Sequence, residues 1–367
     1  MVVGPTPPPL HGTAAYVRML LDAPALRERW EVLHVDTSDR RSLENLGRID
    51  PTNVVLALRH LTSLVSALLR TRVHVVWIPV SQNAPAYARD ALFILAAHAA
   101  GARVVTHLHG GWFRNFYDAA PAPLRWLVRF SSARVARAWV LGEGLRSVYQ
   151  GLIGAERVRV VANGVPDPLI GVAQRAARAA GPMTVLHLGQ LSAAKGVPEL
   201  LEAAGRLRGE GIELRVVLAG SWVTRQDEVR IHDAIARAGL REAVELRGVV
   251  TGGAKEEVLA HADVFVLATR YAFEGQPLAI LEAMAAGLPV VATPRGAIPD
   301  MVADGRSGIL VPERDVEALA GALSRLAADP ALRRRLGEES RRRWAAQFTA
   351  EHALARAAEV LEELRPA

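Results

Sequence analysis

The chain has 367 residues, half of them hydrophobic, which is enough to bury two cores of ordinary domain size. It contains no cysteine, so disulfides and thiolate metal sites are excluded. The longest apolar stretches, such as residues 91–100, fall short of the ~20 residues that a spanning helix needs, and no signal peptide opens the chain, so we expect a cytoplasmic protein.

The positive charge is concentrated in the first half of the chain. Residues 1–165 contain 19 arginines, no lysine and 11 acidic residues, a net charge of +8, whereas the remainder has a net charge of −2. Only two lysines, Lys195 and Lys255, stand among 42 arginines. The positive charge of this half has two interpretations. It is either a compositional bias on a solvated surface, or it attracts an anionic partner such as a membrane or a phosphorylated acceptor. We expect no nucleic-acid partner.

Short apolar runs of strand length alternate with longer helical patterns along the chain. The predicted strands lie at residues 73–80, 102–108, 137–141, 157–163, 183–189, 213–220, 243–248, 263–269, 288–293 and 307–312. Amphipathic helices are predicted between them, for example at 198–209 and 227–239. This alternation indicates an α/β fold with two doubly wound parallel sheets.

Domain boundaries follow from a break in this pattern. Residues 167–182 have no clean strand period, and a new strand begins directly after Gly181-Pro182. We therefore predict domains at 1–166 and 183–349, a linker at 167–182 and a C-terminal helix within 350–367. Open parallel sheets bind ligands beyond the carboxyl ends of their strands, which directs attention to the loops that follow them.

Two loops of the N-terminal half are candidates. The proline-rich stretch at 5–10 leads into His11-Gly12 and a helix start at Thr13, which suits close backbone approach to an anion or a sugar, or simply a rigid loop. Downstream, the spacing of His107 and His109 suggests a metal site, but no acidic residue lies nearby and we predict none.

His107 fits a core histidine, whereas His109 lies past the strand end and is better placed to face a cleft. Trp112 and Arg114 beside it offer an aromatic platform and a positive charge.

In the C-terminal half, a strand ends at Gly189 and a short loop leads through Lys195-Gly196 into a helix that begins near Pro198. A helix N-terminus with a neighbouring lysine is suited to a phosphate or diphosphate. An ordinary surface lysine is the competing interpretation, but this chain uses arginine almost everywhere else.

A second loop carries two acids seven residues apart, Glu274 and Glu282, in EGQPLAILE. Glu274 could be a helix cap, but Glu282 lies inside an apolar helix and needs a polar partner. A separation of about 12 Å at ~1.5 Å per helical residue is too large for an acid and a base acting on one bond. It suits contacts to the two ends of one polyhydroxylated ligand.

Together these motifs resemble family 4 of the retaining glycosyltransferases, whose GT-B fold has two Rossmann-like domains facing across a cleft. The signature is EGQPLAILE followed by EAMAAGLPVVAT. Supporting pieces in the same order are PPPLHGTA, THLHGG, VANGV, LGQLSAAKG, RGVV and GRSGILVP. The resemblance covers almost the whole chain. It implies an N-terminal acceptor domain, a C-terminal nucleotide-sugar domain and a last helix that crosses back to the first.

The resemblance also implies residue roles. Glu282 would hold the ribose hydroxyls of a nucleotide sugar, and Glu274 the hydroxyls of the transferred sugar. Lys195 would stabilise the departing diphosphate, and His109 would approach the sugar and the acceptor, so we predict His109, Lys195 and Glu274 as catalytic. The other predicted donor contacts are Gly12, Gln190, Gly248, Val250, Gly275, Gln276 and Leu278. The predicted acceptor contacts are His11, Trp112 and Arg114.

The implied reaction is metal-independent transfer with retention, from a nucleotide-diphosphate sugar to a hydroxyl acceptor, in polysaccharide, cell-envelope or glycolipid biosynthesis. No cofactor is expected. The basic N-terminal half and residues 123–139 suggest a lipid-linked acceptor and peripheral contact with an anionic membrane, placing the protein at the inner face of the cell membrane; a core helix with solvated arginines is the competing interpretation.

One departure leaves an alternative open. The family usually has Gly-Arg-Leu where this chain has Gly189-Gln190-Leu191, which removes one of two cations expected at the diphosphate. Arg270 or Arg295 could compensate. Otherwise the chain could be a differently specialised GT-B protein, either epimerase-like or an inactive sugar-nucleotide-binding subunit.

Overall fold

The computed structural model describes residues 1–8, 12–41, 50–168 and 181–365. The chain divides into two compact units, residues 1–163 together with 350–367, and residues 164–349. Of the predicted linker, residues 169–180 lie outside the described part of the chain.

The first unit is built on a six-stranded parallel sheet in the order β2-β1-β3-β4-β5-β6. Its strands are β1 (Val2–Gly4), β2 (His34–Asp36), β3 (Val75–Val80), β4 (Arg103–Leu108), β5 (Val135–Val140) and β6 (Val158–Val160). Its helices up to this point are α1 (Gly12–Asp22), α2 (Pro24–Arg27), α3 (Pro51–Arg70), α4 (Ala84–Ala99), α5 (Phe113–Ala119) and α6 (Ala122–Ser132), with 3-10 turns at Glu143–Tyr149 and Ala155–Arg157.

The second unit is a six-stranded parallel sheet in the order β12-β11-β10-β7-β8-β9. Its strands are β7 (Met183–Leu188), β8 (Leu214–Ala219), β9 (Val244–Gly248), β10 (Val264–Leu267), β11 (Val290–Ala292) and β12 (Gly308–Leu310). Its helices are α7 (Val197–Gly209), α8 (Arg225–Arg237), α9 (Gly252–His261), α10 (Leu278–Ala285), α11 (Ile298–Met301), α12 (Val316–Ala328) and α13 (Pro330–Gln347). Counted from β7, the order is that of a Rossmann sheet, as predicted.

The last helix, α14 (Ala350–Glu362), belongs to the first unit. It packs against α2, and its apolar residues join the core around Trp77 and Trp139. Just beyond its end, Glu363 accepts hydrogen bonds from Arg137 at 2.8 Å and from Arg159 at 3.0 Å. These contacts attach the C-terminus to strands β5 and β6.

Two expectations about apolar segments were wrong. Helix α3 is, by length and composition, long and apolar enough to cross a membrane, although no apolar stretch was expected to qualify. Residues 123–139 are not one amphipathic helix, because α6 ends at Ser132 and the remainder enters β5. Trp139, at the end of this stretch, is fully buried in β5.

Candidate functional site

The strand order of the second unit places its switch point between β7 and β10. These two strands are hydrogen-bonded neighbours. The connection after β7 leads to β8 on one side of the pair, and the connection after β10 leads to β11 on the other side. Ligands of doubly wound sheets bind outside the carboxyl ends of the strands at such a point. The loops at this point are the two that carry Lys195 and Glu274.

Lys195 and Glu274 form a mostly buried ion pair. Lys195 Nζ donates to Glu274 Oε2 at 2.7 Å, and Thr269 Oγ1 donates to the same oxygen at 2.8 Å. The side chains are 15% and 7% exposed, respectively, so water screens the pair weakly. Lys195 Nζ also lies 4.8 Å from the ring centroid of Tyr271. The structure thus brings together two of the three predicted catalytic residues.

Gly196 makes this approach possible. It has a left-handed backbone with φ of 77°, and a Cβ there would lie 2.1 Å from the carbonyl oxygen of Ala268. The neighbouring loops are also joined by the Arg270 N–H, which donates to the carbonyl of Ala194 at 2.9 Å. The loop after β7 is therefore packed directly on the end of β10.

The helices that leave these loops begin at residues that cannot act as side-chain caps. Within the described part of the chain, the N-cap residues of α7 and α10, Gly196 and Pro277, make no capping side-chain hydrogen bond. By contrast, α8 and α12 of the same unit are capped by Thr224 and Asp315. The first N–H groups of a helix that lack a cap carry partial positive charge and are suited to an anion.

The second glutamate has a matching partner that the sequence did not assign. Lys255 Nζ, from α9, donates to Glu282 Oε1, from α10, at 2.7 Å. Each of the two lysines in the chain is therefore paired with one glutamate of the motif. The scarcity of lysine was a signal for Lys255 as much as for Lys195, but a single lysine in a helix resembles an ordinary surface residue.

The two arginines considered as substitutes at Gln190 are both engaged elsewhere. Arg270 forms an ion pair with Glu199, and Arg295 forms one with Glu313 at 3.1 Å. Gln190 itself is exposed. Each carboxylate offsets part of the positive charge that its arginine could offer a diphosphate, as Glu274 does for Lys195.

The other predicted donor residues of the second unit lie at or after the carboxyl ends of β9 and β10. Gly275 accepts a hydrogen bond from Ala297 N–H at 2.7 Å, and Gln276 is buried. Leu278 is the first residue of α10. Gly248 ends β9 with φ of 61° and is exposed.

Val250 lies between β9 and α9, close in sequence to the start of the helix that carries Lys255.

In the first unit, His109 lies just after β4, with its ring centroid 4.1 Å from that of His107 and 5.2 Å from that of Tyr16. His107 is fully buried; burial, together with the charge of His109, holds the pKa of His107 well below its usual value. Gly12 is the first residue of α1 and is exposed, and His11 lies outside the described residues.

The proposed acceptor contacts that are described have protein partners. The backbone N–H of Trp112 donates to Gln82 Oε1 at 2.6 Å. Arg114 donates to Asp118 Oδ2 at 2.9 Å and to the carbonyl of Gln150 at 2.7 Å. Arg114 is therefore held between a helix and a loop.

Within the described ranges, no group of three or more His, Asp or Glu side chains is placed to hold a metal ion. The expectation of a metal-independent reaction stays a prediction.

Residues 173–343 match the family model described as glycosyl transferases group 1. Three curated relatives are the amylovoran biosynthesis glycosyltransferase AmsK of Erwinia amylovora (31% identical over 57% of this chain and 52% of the relative), an alpha-D-kanosaminyltransferase of Streptomyces kanamyceticus (33%; 42% and 39%) and the glycogen synthase of Mycobacterium tuberculosis (29%; 65% and 56%). The matched segments span between about two fifths and just over half of these relatives' lengths.

Solved structures match over the whole chain. Sucrose-phosphate synthase from Thermosynechococcus elongatus has a TM-score of 0.77 at 20% identity and covers 99% of both chains. Anabaena HepE in complex with UDP-glucose has a TM-score of 0.72 at 18% identity and also covers 99% of both chains. At such identities the likeness shows the fold. Residues 173–343 thus match the model of the glycosyl transferases group 1 family, and the solved structures show that the chain has the two-unit GT-B fold.

Proposed function

We propose that this protein is a retaining, metal-independent glycosyltransferase that moves a sugar from a nucleotide-diphosphate sugar to a hydroxyl acceptor in polysaccharide, cell-envelope or glycolipid biosynthesis. The observation that carries the proposal is the pairing of Lys195 with Glu274 and of Lys255 with Glu282 beyond the strand ends of the second unit. The match of residues 173–343 to the group 1 family model and the names of relatives such as AmsK support the activity, and the HepE complex with UDP-glucose supports the donor class.

In the proposed reaction, the bond between the anomeric carbon and a diphosphate oxygen breaks, and a bond to the acceptor oxygen forms on the same face of the sugar. The acceptor's proton passes to the leaving phosphate. Charge accumulates on the diphosphate, so a preorganised cation and uncapped helix N–H groups lower the barrier. Lys195 would supply the cation, and the starts of α7 and α10 would supply the N–H groups.

The carboxylates would bind rather than act as nucleophile or base. Glu274 is held by Lys195 and Thr269 through one oxygen, Oε2, and Glu282 is held by Lys255 through Oε1. Each carboxylate would retain acceptor capacity for sugar or ribose hydroxyls. We propose the remaining donor contacts as predicted from the sequence, with His109, Trp112 and Arg114 on the acceptor side.

The test begins with a thermal-shift screen against UDP-, GDP-, ADP- and TDP-sugars, because a ligand of the native state raises the melting temperature. The expected result is a shift with one base, reduced in Glu282→Gln. Turnover of that donor is then measured with candidate hydroxyl acceptors, with and without EDTA. Activity that disappears with EDTA and returns with a divalent cation would contradict the metal-independent part.

A second candidate function is a sugar-nucleotide-binding subunit without transferase activity. The observation that favours it is Gln190, where the family usually has arginine, together with the engagement of Arg270 and Arg295 in ion pairs. Donor binding without hydrolysis or transfer to any acceptor would select this candidate. Restoration of turnover in Gln190→Arg would identify the missing cation as the cause.

A further inference from the structure

Helix α3 presents a second apolar face that stays exposed among the described residues of the first unit. Its buried residues are His60 and Leu64, which lie on one side of the helix. A ridge of exposed apolar side chains occupies another side: Val54 (53% exposed), Val55 (63%), Leu58 (59%), Val65 (37%) and Leu69 (82%). At ~100° per residue these five fall within an arc of about 100°. An isolated exposed leucine needs no explanation, but five exposed apolar side chains on one side of a helix do.

The neighbouring helices extend this face. α4 packs against both α3 and α6, and it exposes Leu92. α6 exposes Trp126, at 62%, with its ring stacked on that of Phe130 at a centroid distance of 4.8 Å. We call the exposed side of α3, α4 and α6 the outer helical face. Tryptophan is the residue most typical of a membrane–water interface.

The charges on the outer helical face have one sign. α3 and α6 contain no Asp or Glu, and α3 carries Arg59 and Arg70 while α6 carries Arg125 and Arg129. The single acid of α4, Asp90, is buried and accepts hydrogen bonds from Arg89. Apolar side chains flanked by arginines, with no exposed carboxylate, complement a surface that is apolar inside and anionic at its rim.

We propose that the outer helical face docks on an anionic lipid bilayer, with the apolar ridge of α3 inserted at headgroup depth and Arg59 and Arg70 against lipid phosphates. α3 lies in the plane of the interface and does not cross it. A spanning α3 would put Arg59 near the centre of the hydrocarbon, and it would withdraw His60 and Leu64 from the core of the unit.

A second copy of the chain is a poorer occupant of this face. A symmetric dimer would bring each copy's arginines toward the same arginines of its partner, and the single acid of the three helices, Asp90, is buried and cannot balance them. An anionic bilayer removes that repulsion, since each arginine near the lipid surface is attracted to it.

The experiment is flotation of the full chain with vesicles of phosphatidylglycerol and phosphatidylcholine, and with vesicles of phosphatidylcholine alone, at low and high salt. The expected result is binding to the anionic vesicles that weakens as salt rises. Arg59→Gln/Arg70→Gln should lower the partition coefficient roughly fivefold per arginine. Leu58→Gln/Leu69→Gln should lower it by roughly tenfold per leucine at full insertion.

The matched control is Val223→Gln/Val229→Gln, which replaces two exposed apolar residues of the second unit and should leave binding unchanged. Melting temperature and nucleotide-sugar binding should also be unchanged in the leucine variant, since α3 lies in the other unit from Lys195. Absence of flotation at low salt, or an equal loss in the control, would overturn the proposal. So would a dimer that Leu58→Gln/Leu69→Gln dissociates in a chain that does not bind vesicles. None of these outcomes depends on transferase activity.

Discussion

Lys195 and Glu274 are 79 positions apart in sequence, yet their side chains share a hydrogen bond of 2.7 Å. We predict that Lys195→Ala lowers kcat by about 10²–10³-fold, the usual effect of removing one preorganised donor from a developing oxyanion. The measurement is steady-state transfer at saturating donor. Lys195→Arg should recover part of the loss, because it restores the charge with a different shape.

The Lys195 variant leaves a buried carboxylate with one hydrogen bond fewer, so its folding has to be checked by thermal melting. A folded Lys195→Ala protein with full turnover would show that another group carries the charge at the diphosphate. Arg270, released from Glu199, would then be the residue to replace next.

For Lys255 we predict an effect on donor affinity rather than on kcat, because its partner Glu282 is assigned to the ribose and not to the reacting bond. Lys255→Met should raise KM for the donor by roughly tenfold, through loss of one charge-assisted hydrogen bond that orients the carboxylate, and should change kcat much less. Lys255→Arg should retain most of the affinity. A fall in kcat with an unchanged KM would contradict the positioning role.

At the scale of single residues, part of the candidate site could be predicted from the sequence. The spacing of Glu274 and Glu282 and the isolated Lys195 indicated candidate binding residues, because charged groups beside apolar strands need partners. The ion pairs themselves could not be predicted from the sequence, because the register between β7 and β10 is what brings Lys195 to Glu274. Lys255 was missed because its partner lies on another helix, 27 positions away.

At the scale of elements, the connection from β7 to α7 determines where Lys195 can lie. Gly196→Ala combines a left-handed backbone with a Cβ 2.1 Å from the carbonyl of Ala268, so we predict a loss of roughly 2–4 kcal/mol in the free energy of unfolding of the second unit. Denaturant unfolding measures this. Donor binding should weaken in parallel, because the loop after β7 must move.

Gly209→Ala is the control on the same helix. A Cβ at Gly209 meets nothing within 4 Å and the backbone is helical, so this change should be neutral or stabilising by up to about 1 kcal/mol. Equal destabilisation by the two substitutions would mean that the contact with Ala268 is not the cause.

Most of the strands that the sequence predicted are buried, although β9, also predicted, is largely exposed. Strands β3 and β10 are apolar at nearly every position, because both faces of their sheets are covered. β2 was not predicted, since three residues at the sheet edge, of which only Val35 is buried, carry no readable period. The apolar length of α3 was underestimated, because Arg59 interrupts the run of apolar residues in the sequence. The exposed apolar ridge continues on both sides of Arg59.

For the whole molecule, titration of buried histidines makes stability depend on pH in both units. Burial lowers the pKa of His187, in the second unit, to about 4, and it holds the pKa of His107, in the first unit, well below its usual value. Each is neutral in the folded protein, whereas its unfolded counterpart takes up a proton near pH 6.5. The unfolded state therefore binds more protons as pH falls, and the free energy of unfolding decreases below about pH 6.5.

For His187 alone, the loss between about pH 7 and pH 5 amounts to about 2 kcal/mol, reached before most carboxylates titrate. Urea unfolding at a series of pH values measures it. His187→Gln should flatten the pH dependence of the midpoint whatever its effect on the midpoint itself, because the titrating group is gone. His261→Gln, which replaces an exposed histidine of the same unit, should leave the slope as it is. An undiminished slope in His187→Gln would mean that other groups cause the acid sensitivity of this unit.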